Sequence, residues 1–149
     1  MLEISEMSRS RLRALATCLR VLVLLLIVEL MIRWVPLPRL ARLLGVRLDL
    51  SPATNPGALA APLALTPKAR RQLRCCWRVA ALWPFSSGPC LRRSLVAAHL
   101  LRTDGAAVRL GFPNEPGARI AHAWIEIDGR PLEDVSRYQR FEQVTAHVG

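Results

Sequence analysis

A chain of 149 residues can bury one modest core and is too short for two independent ones. Apolar residues make up 52% of it but aromatic residues only 5%, so the core must be aliphatic, with Trp34, Trp77, Trp83 and Trp124 as its large pieces. The net charge of +10 asks for an acidic partner, yet no aromatic-studded basic sheet, recognition-helix pattern or Gly-rich phosphate loop is present, so nucleic acid is not expected.

The first segment, 1–48, reads as helical. Leu2 to Arg13 is polar and mixed, with ends expected to fray. Val21 to Ile32 is apolar except for Glu29 and is bracketed by Arg20 and Arg33. A membrane span needs about 20 apolar residues, and this run has 12. Glu29, Arg33 and the bulky Met31, Ile32 and Trp34 also argue against a cleaved signal sequence. The expectation is a helix that covers the core, with an interfacial helix on a membrane or partner as second reading and a span last. Pro36 and Pro38 end it, and Arg39 to Leu44 can add a short helix before Gly45.

Residues 49–65 form an Ala/Pro-rich joint without periodicity, expected as a loop that borders a groove. The remainder, 66–149, reads as the functional core of one compact domain. Thr66-Pro67 is an N-cap followed by proline at the first helical position, and a helix is predicted to Leu82 or Trp83 with Ala69, Leu73, Cys76, Trp77 and Ala80 inward. Its other face carries Arg70, Arg74 and Arg78 at four-residue steps. Like charges so spaced repel by about 0.2 to 0.5 kcal/mol a pair, so they are either a solvated face or a dock for something acidic.

The stretch from Ser87 to Asp134 carries the chemistry. Pro89 suits the first position of a helix, which places Cys90 in its first turn, where free N–H groups and the positive dipole end favour a thiolate. Leu91, Leu95, Ala98 and Leu101 continue an apolar stripe until Gly105 offers a left-handed cap. Arg119 to Ile127 reads as a strand with Ile120, His122, Trp124 and Glu126 on one face and Ala121, Ala123, Ile125 and Ile127 on the other. Asp128-Gly129 marks a hairpin. A two-residue turn would put Asp134 opposite Ala123, away from His122; a bulged turn with Gly129 left-handed would put it opposite His122. A Cys/His/Asp set therefore predicts the bulged turn. Taken singly, Cys90, His122 and Asp134 each have an ordinary structural reading: a packed thiol, a satisfied histidine, a solvated strand-end acid.

Together they resemble a known family. The runs Cys-Leu-Arg-Arg-Ser-Leu at 90–95, Leu-Leu-Arg-Thr-Asp-Gly at 100–105 and Ala-His-Ala-Trp-Ile-Glu-Ile-Asp-Gly-Arg-Pro-Leu at 121–132 are similar to the transglutaminase-like cysteine proteases that mature lasso peptides. The chain looks like the stand-alone protease half of that system, from about Arg9 onward. The resemblance implies removal of the leader from a ribosomally made precursor through a thioester, with Cys90 as nucleophile, His122 as base and then acid, and Asp134 as orienter. It implies an α+β fold with a papain/transglutaminase-like core: N-terminal helices, then a helix bearing Cys90 packed on a small antiparallel sheet bearing His122 and Asp134.

Family members often have Val or Ile-Gly-Val where Arg109-Leu110-Gly111-Phe112-Pro113 stands here, a departure that touches the substrate groove. Trp83, Phe85 and Trp124 are candidates to line that groove, and Arg70, Arg74 and Arg78 to dock an acidic leader or the separate leader-recognition protein. Papain-type enzymes carry an oxyanion glutamine before the cysteine; the nearest here is Gln72, so the second donor is unassigned. The implied partners are the precursor leader, that recognition protein and an ATP-dependent lasso cyclase, with no nucleic acid and no membrane span; interfacial contact stays open.

Four scattered cysteines without a Cys-x-x-Cys pair suggest reduced thiols and a cytoplasmic location, and His99 and His147 have no ligand-like spacing, so neither metal nor cofactor is expected. Two rivals remain: an acyltransferase using the same triad, and a non-catalytic scaffold of the maturation complex.

Overall fold

The computed structural model describes residues 2–49, 63–84, 89–113, 121–133 and 138–140, with side chains described from residue 11 to residue 133 within those ranges. Among these residues four α-helices, α1 (Leu2–Met31), α2 (Leu37–Leu43), α3 (Pro67–Ala81) and α4 (Pro89–Leu100), accompany five strands, β1 (Arg47–Leu48), β2 (Ala106–Pro113), β3 (His122–Ile127), β4 (Arg130–Pro131) and β5 (Tyr138–Arg140). The fold is α+β.

Helix α3 starts as its sequence requires. Pro67 occupies the first turn and the Ala69 amide donates to Thr66 Oγ1 at 3.1 Å, so one orphan N–H is satisfied and the missing proline N–H costs nothing. Its buried face is Ala69, Gln72, Cys75 and Cys76, with Leu73, Trp77 and Ala80 half-buried beside it. The two adjacent cysteines point to different neighbours. Cys75 Sγ donates to the Ala14 carbonyl of α1 and Cys76 Sγ to the Arg93 carbonyl of α4, each at 3.7 Å. Burial pushes the Cys75 thiol up to about 11 and the Cys76 thiol up to about 12, so both stay protonated and pack as small hydrophobes.

Helix α4 lies at the centre, against α1 and α3 on one side and the sheet on the other. Leu95, Val96, Ala97 and Ala98 are all fully buried, more than the single stripe read from sequence. Arg92 on this helix is buried too, and its guanidinium pairs with the buried Glu29 carboxylate of α1. The Arg92 hydrogen bond holds the Glu29 carboxyl below the usual range against the opposing effect of burial. A 3₁₀ turn, Arg102–Asp104, follows α4, and Gly105 at φ 76° takes the left-handed cap expected of it.

Helix α1 differs from its reading in two ways. It runs unbroken from Leu2, where a frayed polar start was expected. Because Leu12, Leu15 and Leu19 extend the apolar character toward the N-terminus, residues Arg11–Met31 form 21 residues long and apolar enough to cross a membrane, so the count of 12 does not exclude a span by length. Val21, Leu25 and Val28 face the core, and the opposite side is exposed.

The sheet is mixed, not purely antiparallel. Strand β1, two residues long and too short to show a period, pairs parallel with β2, while β3 and β5 pair antiparallel with β2 and β4 antiparallel with β3. Strand β5 pairs with the far end of β2, Gly111 to Pro113.

The hairpin corrects the predicted turn. Ile127 pairs with Arg130 and Glu126 with Pro131, and Asp128 at φ 51° with Gly129 at φ 76° form the two-residue connection, both left-handed. Such a primed turn follows the right-handed twist of the strands, whereas the bulged alternative adds a residue that breaks the ladder. Leu132 N then donates to Ile125 O at 3.0 Å and carries the same register one step further.

Candidate active site

Cys90 sits in the first turn of α4, half-buried, as Pro89 dictates. One turn later, Ser94 Oγ donates to the Ala123 carbonyl at 3.0 Å. Ala123 is the residue after His122, so this bond ties the start of α4 to the start of β3. Residues four apart share a helix face at about 6 Å along the axis, so Cys90 lies about one turn from the bond that fixes α4 to the residue beside His122.

Arg93, three residues from Cys90, completes the link. Its guanidinium lies over the Trp77 ring at 4.8 Å, and Nη2 donates to Glu133 Oε2 at 2.7 Å. The other Glu133 oxygen stands 3.9 Å from His122 Nε2, an ion-pair separation too long for a hydrogen bond. Among the described residues His122 is faced by the Glu133 carboxylate and the Arg93 guanidinium, which also face each other. Burial and the nearby Arg93 charge hold its imidazole below the usual histidine value, with burial the larger cause and Glu133 opposing both. A ring kept neutral can accept a thiol proton.

Behind the histidine is a buried polar chain. The His122 and Trp124 rings are stacked, 20° apart in plane with centroids 6.2 Å apart. Trp124 Nε1 donates to Glu126 Oε1 at 2.9 Å, Arg109 Nε donates to Glu126 Oε2 at 2.9 Å, and Arg109 Nη1 donates to the Asp49 carbonyl and to Asp49 Oδ1 at 2.8 and 2.9 Å. The β2–β3 register places Gly111 directly across from His122, so no side chain occupies the facing position. The departure at 109–113 thus has a structural role: Arg109 neutralises Glu126, and Gly111 leaves room for the imidazole.

A groove of about 660 Å³ borders this end, lined by Trp77, Arg78, Ala80, Ala81, Trp83, Pro89 and Arg93. It runs from the C-terminal end of α3 to the first turn of α4. Trp83 and Arg78 belong to it, whereas Arg70 and Arg74 stand exposed further along α3, with Arg70 Nε donating to the Leu65 carbonyl. Trp124, expected to contact substrate, is 1% exposed. It supports the histidine from behind because its indole N–H is taken by Glu126. Phe85 and Asp134 lie outside the described residues.

Glu133 is the acid that the sequence reading passed over. Under the two-residue register, residues 131 and 133 belong to the His122 face, so the neighbour of Asp134 was legible from Asp128-Gly129 alone. His99, on the far part of α4, is engaged with the Leu44 carbonyl at 2.7 Å. Among the described residues no group of three or more His, Cys, Asp or Glu could hold a metal ion.

No curated protein and no solved structure matches this chain. A family model described as transglutaminase-like superfamily does, over residues 31–146, a range that takes in α2 to α4, the sheet, Cys90 and His122. The match spans most of the chain, and the chain belongs to the transglutaminase-like superfamily.

Proposed function

We propose that this protein is a cysteine peptidase that removes the leader from a ribosomally made lasso-peptide precursor. The superfamily includes cysteine proteases and acyltransferases. The observation that carries a peptidase-type reading is the Ser94–Ala123 hydrogen bond, which holds the Cys90 turn against the strand start bearing a neutral-leaning His122. The lasso-peptide part rests on the resemblance of the runs at 90–95, 100–105 and 121–132.

The chemistry follows from those groups. His122 accepts the Cys90 thiol proton, and the sulfur attacks the last leader carbonyl. The Cys90 amide, in the open first turn of α4, faces the oxyanion. His122 then protonates the departing core amine, leaving the leader as a thioester on Cys90. Water, deprotonated by His122, attacks that carbonyl, and the leader leaves as its acid while the thiol is restored. By the register of the observed two-residue turn Glu133 rather than Asp134 falls on the His122 face, so Glu133, 3.9 Å from His122 Nε2 and bonded to Arg93, is the proposed orienter, with Asp134 the alternative that substitution tests. The groove along Trp77, Trp83 and Arg78 suits the leader side of the cut, and the Arg70, Arg74 and Arg78 row would dock acidic leader residues or the leader-recognition protein. A cytoplasmic location fits four free cysteines, and the freed amine would pass to an ATP-dependent cyclase.

The test is incubation of the purified protein with the neighbouring precursor and leader-recognition protein. Wild type should release leader acid by mass spectrometry, and Cys90→Ala should lose at least about a thousandfold in rate. Leader joined to an amine would instead mean acyl transfer. Iodoacetamide labelling of Cys90 no faster than that of Cys18 would point to a scaffold.

A further inference from the structure

We infer that the outward face of α1 is a docking surface for an anionic lipid bilayer, on which the helix lies in the membrane plane with the rest of the domain above it. The exposed large apolar side chains of this helix are Leu12, Leu15, Leu19, Leu22, Val23, Leu26, Ile27 and Leu30. At about 100° per residue they fill an arc of roughly 140°, unbroken by any polar group between residues 11 and 31. The margins of that arc are basic. Exposed Arg13 and Arg20 border one edge and exposed Arg11 the other, while exposed Arg33, Arg39 and Arg42 follow the helix. Trp34, just past its end, is 86% exposed.

Charge decides the occupant. The only acid between residues 11 and 48 is Glu29, and it is buried against Arg92. Two copies of this chain apposed through residues 11–48 would set arginines against arginines with no exposed acid in that range to meet them. A bilayer with anionic headgroups matches both parts, acyl chains against the leucines and phosphates against the marginal arginines.

Spanning is disfavoured by the other side of the same helix. Val21, Leu25 and Val28 are packed into the core, and α3 and α4 lie along it. Crossing a bilayer would either strip α1 from them or carry the exposed Arg70, Arg74 and Arg78 of α3 toward hydrocarbon.

Sedimentation of the full chain with vesicles tests this. Vesicles of equal phosphatidylcholine and phosphatidylglycerol should bind the protein, pure phosphatidylcholine should bind it weakly, and added salt should release it. The triple variant Leu15→Gln, Leu19→Gln, Leu26→Gln should partition at least about tenfold less. It should melt at the wild-type temperature, since these positions are exposed. No binding to the mixed vesicles at low salt would overturn the proposal, as would equal binding by the variant. A lipid-free dimer that the variant breaks would assign the face to a second copy, and association with the leader-recognition protein lost in the variant, without vesicle binding by wild type, would assign it to that partner. Retention in vesicles after an alkaline wash would mean a span.

Discussion

On the side of β2 and β3 that meets the helices, Ala106, Val108, Ala123, Ile125 and Ile127 pack against α4 and its neighbours with no polar atom among their side chains. On the opposite side the same strands carry Arg109, His122, Trp124 and Glu126, three of them at most 5% exposed. The first side is held by burial, which rewards area and tolerates exchange among similar shapes. The second is held by directional bonds that run from Asp49 through Arg109 and Glu126 to Trp124, and the His122 ring rests on Trp124. A base of the kind proposed for His122 needs orientation more than it needs area, and the side held by directional bonds is the one that carries it.

Breaking the polar side should do the most damage. Glu126→Ala would leave the Arg109 guanidinium buried with one acid fewer, costing about 3 to 5 kcal/mol in urea unfolding. The double variant Arg109→Met, Glu126→Leu should recover a large part of that loss, because no buried charge is stranded. A double variant as unstable as Glu126→Ala would show that shape, not charge, governs this face.

The next effect separates orientation from stability. Trp124→Phe keeps a ring under His122 but removes the indole donor to Glu126, and misplacing the base should lower kcat about ten- to a hundredfold with KM little changed. Steady-state kinetics on the precursor would read this. An unchanged kcat would mean that the indole bond does not position His122.

The apolar side should respond more mildly. Ile125→Val removes one buried methylene and should cost about 1 kcal/mol, with kcat unaltered. If this substitution slowed turnover as much as Trp124→Phe, the contrast between the two faces would collapse.

The smallest effect tests the charges around the imidazole. Activity should rise with pH as His122 loses its proton, because only the neutral ring accepts from the thiol. Arg93 lowers the His122 pKa and Glu133 raises it. Glu133→Gln should therefore move the rising limb of kcat/KM to lower pH. Arg93→Gln should move it to higher pH, both by removing a cation and by freeing the Glu133 carboxylate. Shifts in the same direction would contradict the geometry, and a rate lost with Asp134→Asn but not with Glu133→Gln would mark Asp134 as the orienter.

Much of this was legible in the residues themselves. Thr66-Pro67 and Pro89 mark the starts of α3 and α4, Gly105 marks a left-handed cap, and the alternation from His122 to Ile127 sorts β3 into its two faces. The hairpin was misjudged because the choice between a bulge and a primed turn was made from the chemistry wanted at Asp134. The twist of the strands, which Asp128-Gly129 accommodates without an extra residue, was the better guide. Strand β1 escaped notice because two residues carry no period.

The sequence by itself determined where helices begin, which way β3 faces and which sulfur stands at a helix tip, since capping, proline geometry and two-residue alternation act over a few neighbouring positions. Only the tertiary structure decided that Arg109 would be buried on Glu126, that Arg92 would reach Glu29 across 63 residues, and that Glu133 would be the described acid nearest His122. Those pairings depend on which charges the packed helices and sheet bring out of water together, and nothing local in the chain specifies that.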